Sequence, residues 1–91
     1  MFVIVSYDIP EDKRRLRVAK ELENYGTRVQ YSVFECNLQE DKLKEMCKIL
    51  LSIIKDQEDS LRIYRLCDSC LKKARTYGIG EISKDEDFYI I

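Results

Sequence analysis

Four apolar residues in a row, Phe2, Val3, Ile4 and Val5, open the chain and predict a buried strand. The run ends at a carboxylate, Asp8, followed by Ile9 and Pro10. Pro10 suits the first turn of a helix, and Glu11 and Asp12 suit the positive end of its dipole. Leu16, Val18, Ala19, Leu22 and Tyr25 then fall on one side at helical spacing, with Gly26 as the stop. The pattern predicts a first helix over residues 11–25.

Residues 27–38 are rich in β-branched and aromatic side chains. Val29, Tyr31 and Val33 alternate with Gln30, Ser32 and Phe34. The segment is longer than an average strand of about five or six residues, which points to two strands joined by a bend or bulge near Tyr31 and Ser32. Gln39, Glu40 and Asp41 open a second helix, and Leu43, Met46, Cys47, Leu50, Leu51 and Ile54 give it the strongest periodicity in the chain. Residues 55–59 are polar and end it. Residues 60–67 read as another strand, with Leu61 and Ile63 on one face and Tyr64 and Leu66 on the other.

The order strand, helix, strand pair, helix, strand is βαββαβ, the ferredoxin-like arrangement of the α+β class, with two helices on one face of an antiparallel sheet. Beyond it come a short helical piece over residues 70–75, a turn at Gly78 and Gly80, and a strand-like stretch over residues 87–91. An apolar tail on a four-stranded domain suggests an extra edge strand that adds to a partner's sheet. The 91 residues make one domain, with a core over about 1–67 and a C-terminal extension over about 68–91. Such a chain buries only about 60–65% of its unfolded surface, so a homodimer is expected.

No stretch reaches the roughly 20 apolar residues of a membrane span, and no basic segment precedes the first apolar run. A cytoplasmic, membrane-free protein with reduced cysteines is the expectation. Cys67 and Cys70 form one CxxC pair without a second, too few ligands for zinc, and free thiols are expected there. The chain has no histidine, which excludes a histidine-based triad, and it has no phosphate-binding glycine loop. Chemistry must rest on carboxylates, hydroxyls, thiols or a metal.

Asp8 is the leading candidate, because a carboxylate at the carboxyl end of a buried strand lies where ligands collect on α/β sheets. It suits Mg²⁺ or Mn²⁺, ions that keep several waters and take one or two carboxylates. A single Asp is a thin site, but near a two-fold axis it is doubled. An N-cap on the first helix accounts for it equally well. Lys13, Arg14, Arg15 and Arg17 crowd the next helical turn, with Arg28 further on, while Asp85, Glu86 and Asp87 gather at the far end. Net charge is only −1, yet a local basic patch still suits a phosphodiester backbone. A solvated helix face is the plainer account of that run. Tyr7 and Phe34 suit base stacking, although such residues more often belong to a core.

Three runs carry a family resemblance: Val5-Ser6-Tyr7-Asp8-Ile9; Lys13-Arg14-Arg15-Leu16-Arg17-Val18-Ala19-Lys20; and the stretch from Tyr25 through Arg28-Val29-Gln30-Tyr31-Ser32-Val33-Phe34-Glu35. With residues 59–64 and Cys67, they closely resemble the small CRISPR-associated protein two family over most of residues 2–67. The resemblance implies a ferredoxin-like homodimer whose C-terminal strand packs on the partner subunit. It implies a part in spacer acquisition in prokaryotic adaptive immunity, where the dimer bridges a CRISPR integrase and holds duplex DNA. It further implies a metal-dependent endonuclease acting on single-stranded RNA or duplex DNA. Asp8 matches the family's Mg²⁺-binding carboxylate. Tyr7, Arg15, Arg17, Arg28 and Phe34 match positions linked to activity. Pro10 and the slightly acidic total charge depart from the family pattern. A non-catalytic duplex-DNA scaffold for the integrase is the alternative reading, and a toxin-like ribonuclease sharing the fold is a more distant one.

Overall fold

A computed structural model describes residues 1–75 and 77. Its elements run β1 (Phe2–Asp8), α1 (Asp12–Leu22), β2 (Gly26–Gln30), β3 (Val33–Asn37), α2 (Glu40–Ile53), β4 (Ser60–Leu66) and α3 (Asp68–Lys72). The four strands form one sheet in the order β2-β3-β1-β4, with every neighbouring pair antiparallel. This is the predicted ferredoxin-like α+β sheet. The expected turn at Gly78 and Gly80 and the expected strand over 87–91 lie outside the described residues.

Alternation along β1 decides which side of the sheet is the core. Val3, Val5 and Tyr7 point to the helices and are buried, whereas Ile4, Ser6 and Asp8 face the other way. Phe34 and Cys36 of β3 join the helix side, and Val18, Ala19 and Leu22 of α1 close over them. Leu43, Met46, Leu50 and Ile53 complete the layer from α2. Each of the valine, leucine, isoleucine, methionine and phenylalanine side chains among them contributes about 1.5–3 kcal/mol by leaving water.

The second face is not wholly open. Leu71 of α3 packs on Phe2, with Ile4, Leu66 and Ala74 around them. That helix starts earlier than the sequence pattern predicts, because the Cys67 sulfur caps it by accepting from the Cys70 N–H.

Four other expectations need correction. Helix α1 ends at Leu22, three residues short of the predicted boundary, and Leu16 is 67% exposed instead of lying in the apolar face. Leu51 of α2 is likewise 59% exposed, while Ile53 takes the buried position. Gly26 does not stop the helix. It begins β2, where a side-chain carbon would run into the Glu35 carbonyl and the Cys36 sulfur, so close strand approach requires glycine there. The predicted break in residues 27–38 is present as a register shift between Arg28 and Gln30 and a turn at Tyr31 and Ser32.

Candidate functional site

Asp8 stands at the exposed end of the central strand, paired across the sheet with Ser60 of β4. The N-cap, the alternative role open to Asp8, is filled by Glu11, whose carboxylate accepts from the backbone N–H groups of Lys13 and Arg14, both at 2.9 Å. Those bonds hold the Glu11 carboxyl below its ordinary range. Among the described residues the Asp8 side chain has no hydrogen-bond or ion-pair partner. The fold therefore makes no use of its charge.

Two shallow hollows meet at Asp8. One, of about 420 Å³, brings together Tyr7, Asp8, Arg15 and Arg28, four of the six residues singled out from the sequence, together with Tyr31 and Ser32. The other, of about 470 Å³, is lined by Ser6, Tyr7, Asp8, Ser32, Ser60 and Arg62. Arg62 lies directly across from Ser6, two rows along the ladder from the Asp8–Ser60 pair. Directly opposed residues of antiparallel strands share a face, so the guanidinium and the carboxylate project from the same side. Sequence reasoning missed Arg62, Ser60 and Ser6. Strand parity already grouped Arg62 with Tyr64 and Leu66, but only the β1–β4 register brings it to Asp8.

The basic run of α1 separates into different roles. Arg14 is engaged by Asp59 and Glu58 on the loop before β4. Arg15 donates to the carbonyls of Ile9 at 3.0 Å and Pro10 at 3.3 Å and pairs with Asp12. It fixes the loop that follows Asp8 and still lines the hollow. Lys13 and Arg17 are exposed, and Arg17 lines neither hollow.

Tyr7 and Phe34 support the site from below. Both are buried, with ring centroids 6.4 Å apart and planes inclined by 29°. The Arg28 guanidinium lies over Phe34, 5.4 Å from the ring centroid, a cation–π distance. The Tyr7 hydroxyl donates to the Tyr31 carbonyl at 3.2 Å, and the Tyr7 N–H donates to the Ser32 carbonyl at 3.1 Å. Phe34 thus packs under Arg28, and Tyr7 holds the β2–β3 turn.

The donor set around Asp8 is a carboxylate and hydroxyl oxygens, which fits a hard ion such as Mg²⁺ or Mn²⁺. No group of three or more histidine, cysteine, aspartate or glutamate side chains suited to a metal occurs among the described residues. One chain thus offers one carboxylate to such an ion. All four cysteines are free thiols. Hydrogen bonds from Ser69 and Cys70 lower the Cys67 thiol to about 7, and burial pushes Cys36 up to about 11.

The model of the family described as CRISPR associated protein Cas2 matches residues 1–74. The chain belongs to the Cas2 family. A curated Cas2 relative from Chloroflexus aurantiacus, named as a CRISPR-associated endoribonuclease, is 48% identical over 93 aligned residues and covers 100% of both chains. The crystal structure of Streptococcus pyogenes Cas2 superposes with a TM-score of 0.75 at 36% identity, covering 86% of this chain and 100% of that one. A chain from a partial Cas6-RT-Cas1–Cas2 complex superposes with a TM-score of 0.72 at 30% identity, covering 82% and 88%. The ferredoxin-like sheet and the strand-end Asp8 thus stand in a chain of Cas2 length and Cas2 sequence. No helix among the described residues is long and apolar enough to cross a membrane.

Proposed function

We propose that this Cas2-family chain is a metal-dependent endonuclease that works as a homodimer beside the CRISPR integrase in the cytoplasm. The observation that carries the reading is the Asp8 carboxylate, exposed at the end of the central strand and unused by the fold. The endoribonuclease name of the 48% identical relative and the Cas1–Cas2 assembly of a structural neighbour support it.

In this reading Asp8 from each protomer holds a shared Mg²⁺, or Mn²⁺. When bound, the ion lowers the pKa of its water and offsets charge on the phosphate. Arg28 and Arg62 face the two hollows and hold phosphodiester oxygens against the carboxylate. Arg15 keeps the loop after Asp8 in place, so the carboxylate projects from a fixed backbone. Tyr7 holds the turn that lines both hollows. Arg17, outside them, meets the nucleic-acid backbone further along α1.

The test compares wild type with Asp8→Ala on labelled single-stranded RNA and on duplex DNA, with Mg²⁺ and across a pH series. Cleavage is expected to vanish in the variant, and an unchanged rate would overturn the reading. A second reading, a non-catalytic scaffold that holds duplex DNA for the integrase, is favoured by one observation. Among the described residues, no metal-binding cluster surrounds Asp8 within one chain. Under that reading Asp8→Ala still supports spacer integration, whereas charge reversal at Arg15, Arg17 and Arg28 abolishes it.

A further inference from the structure

Tyr31 is the most exposed large apolar side chain among the described residues, at 96%. It sits on the turn between β2 and β3. An exposed ring on a loose turn would mean little, because loop tips move and tolerate many residues. This turn is tied down. The buried Tyr7 holds the Tyr31 carbonyl through its hydroxyl and the Ser32 carbonyl through its backbone N–H. The ring is thus presented from a fixed backbone, and no described ring or cation packs on it.

The surroundings of the ring combine a cation and an amide with the apolar Val29. Arg28, Val29, Gln30, Tyr31 and Ser32 line a hollow of about 710 Å³. Arg28, Tyr31 and Ser32 also line the hollow that contains Asp8, so the two adjoin at these residues. An aromatic face, a guanidinium and an amide on one short ribbon match the needs of a nucleotide: a π-face for the base, a cation for the phosphate, and a donor–acceptor group for the base edge.

We propose that Tyr31 is a stacking platform for an unpaired nucleobase, with Arg28 on the adjoining phosphate, so that a single strand crosses the turn toward Asp8. The occupant is single-stranded, because bases within a duplex already stack on one another and offer no free face. The site deepens the proposed nuclease reading by choosing its substrate class. It does not depend on cleavage taking place.

The experiment measures binding of a short fluorescein-labelled oligouridine, and of a duplex of equal length, by anisotropy without divalent metal. Tyr31→Ala and Tyr31→Phe are compared with wild type, and oligomeric state is checked by light scattering. Tyr31→Ala is expected to weaken single-strand binding roughly 5- to 150-fold, the worth of one base–aromatic stack. Tyr31→Phe keeps the ring and is expected to keep the affinity, and duplex binding is expected to be unchanged in both. The inference is overturned if Tyr31→Ala binds the single strand as wild type does, if Tyr31→Phe loses as much as Tyr31→Ala, or if wild type does not bind the single strand. It is also overturned if Tyr31→Ala alters the oligomeric state, which would make the turn an interface between copies. Undiminished cleavage by Asp8→Ala alongside the expected Tyr31 result would remove the nuclease reading and leave the platform standing.

Discussion

Arg14 grips Asp59, 45 residues away in sequence, through two parallel bonds: Nε to Oδ2 at 2.8 Å and Nη2 to Oδ1 at 3.1 Å. The Asp59 side chain is closed off from solvent and also accepts from the Lys55 N–H at 2.8 Å. The pair pins the start of α1 to the loop that feeds β4.

The Arg14 hydrogen bond, helped by the Lys55 N–H, holds the Asp59 carboxyl below its ordinary 3.8. A carboxyl whose folded value is depressed stabilises the fold above its unfolded value, and that gain is lost as pH falls through the folded one. Thermal midpoints followed by circular dichroism should therefore drop on acidification below about 4 in wild type. In Asp59→Asn they should start lower and fall less over the same range. An equal acid slope in both proteins would show that the pair has no part in acid sensitivity. Arg14→Ala should lower the midpoint by several degrees and leave the salt dependence of nucleic-acid binding unchanged, since this arginine is spent on the fold.

Phe34 tests whether activity can be lost through packing alone. Phe34→Ala removes a fully buried ring at a cost of about 3–5 kcal/mol, a large share of the roughly 5–15 kcal/mol that holds a small domain. Urea titration should find its unfolding midpoint sharply lowered. Phe34→Leu should remain folded, losing under about 1.5 kcal/mol if the core repacks. It removes the ring beneath Arg28, and nucleic-acid binding should weaken by the roughly 0.5–1 kcal/mol of an exposed cation–π contact. If Phe34→Leu binds as wild type does, Arg28 needs no ring to hold it.

Cys67 and Cys36 should react at very different rates. The Cys67 thiol sits at about 7, with the Ser69 hydroxyl as the largest cause and the Cys70 N–H next. Iodoacetamide labelling of native protein should modify Cys67 first, with a rate that rises through neutral pH and then levels. Cys36, buried and raised to about 11, should react only after unfolding. Ser69→Ala should shift the Cys67 profile to higher pH. A wild-type midpoint near the ordinary 9.0 would contradict the hydrogen-bond account.

The sheet was legible because the apolar run of β1 and the apolar spacing in α2 are local features of the chain. Residues 27–38 could be divided because their length exceeded one strand. What escaped the sequence were long-range choices. Leu16 fits the helical spacing of α1, but it lies on the rim of the hollow that holds Asp8, Arg28 and Tyr31 and stays 67% exposed. Asp8 and Glu11 are both acceptable caps, and only the backbone path after Pro10 gives the role to Glu11. The run Lys13, Arg14, Arg15, Arg17 looks like one patch until Asp59 claims Arg14 and the Ile9 carbonyl claims part of Arg15. Arg62 needed the register between β1 and β4, which no local pattern encodes.

The same release from structural duty makes Asp8 open to a clean test. Asp8→Asn keeps the shape, and because the carboxylate has no partner among the described residues, stability should change by less than about 0.5 kcal/mol. A loss of Mg²⁺-stimulated cleavage at unchanged thermal midpoint would thus report on chemistry and not on folding. Arg62→Ala should leave the fold intact as well, for among the described residues its guanidinium has no partner and β4 is an edge strand. If it holds a phosphate oxygen beside Asp8, cleavage should fall roughly 10- to 150-fold, the worth of one charge-assisted hydrogen bond. The two effects should be coupled. In the Asp8→Asn background the further Arg62→Ala change should cost much less than it does alone, since groups that act on one phosphate lose their effect together. Full additivity would place Arg62 on a separate stretch of the bound strand.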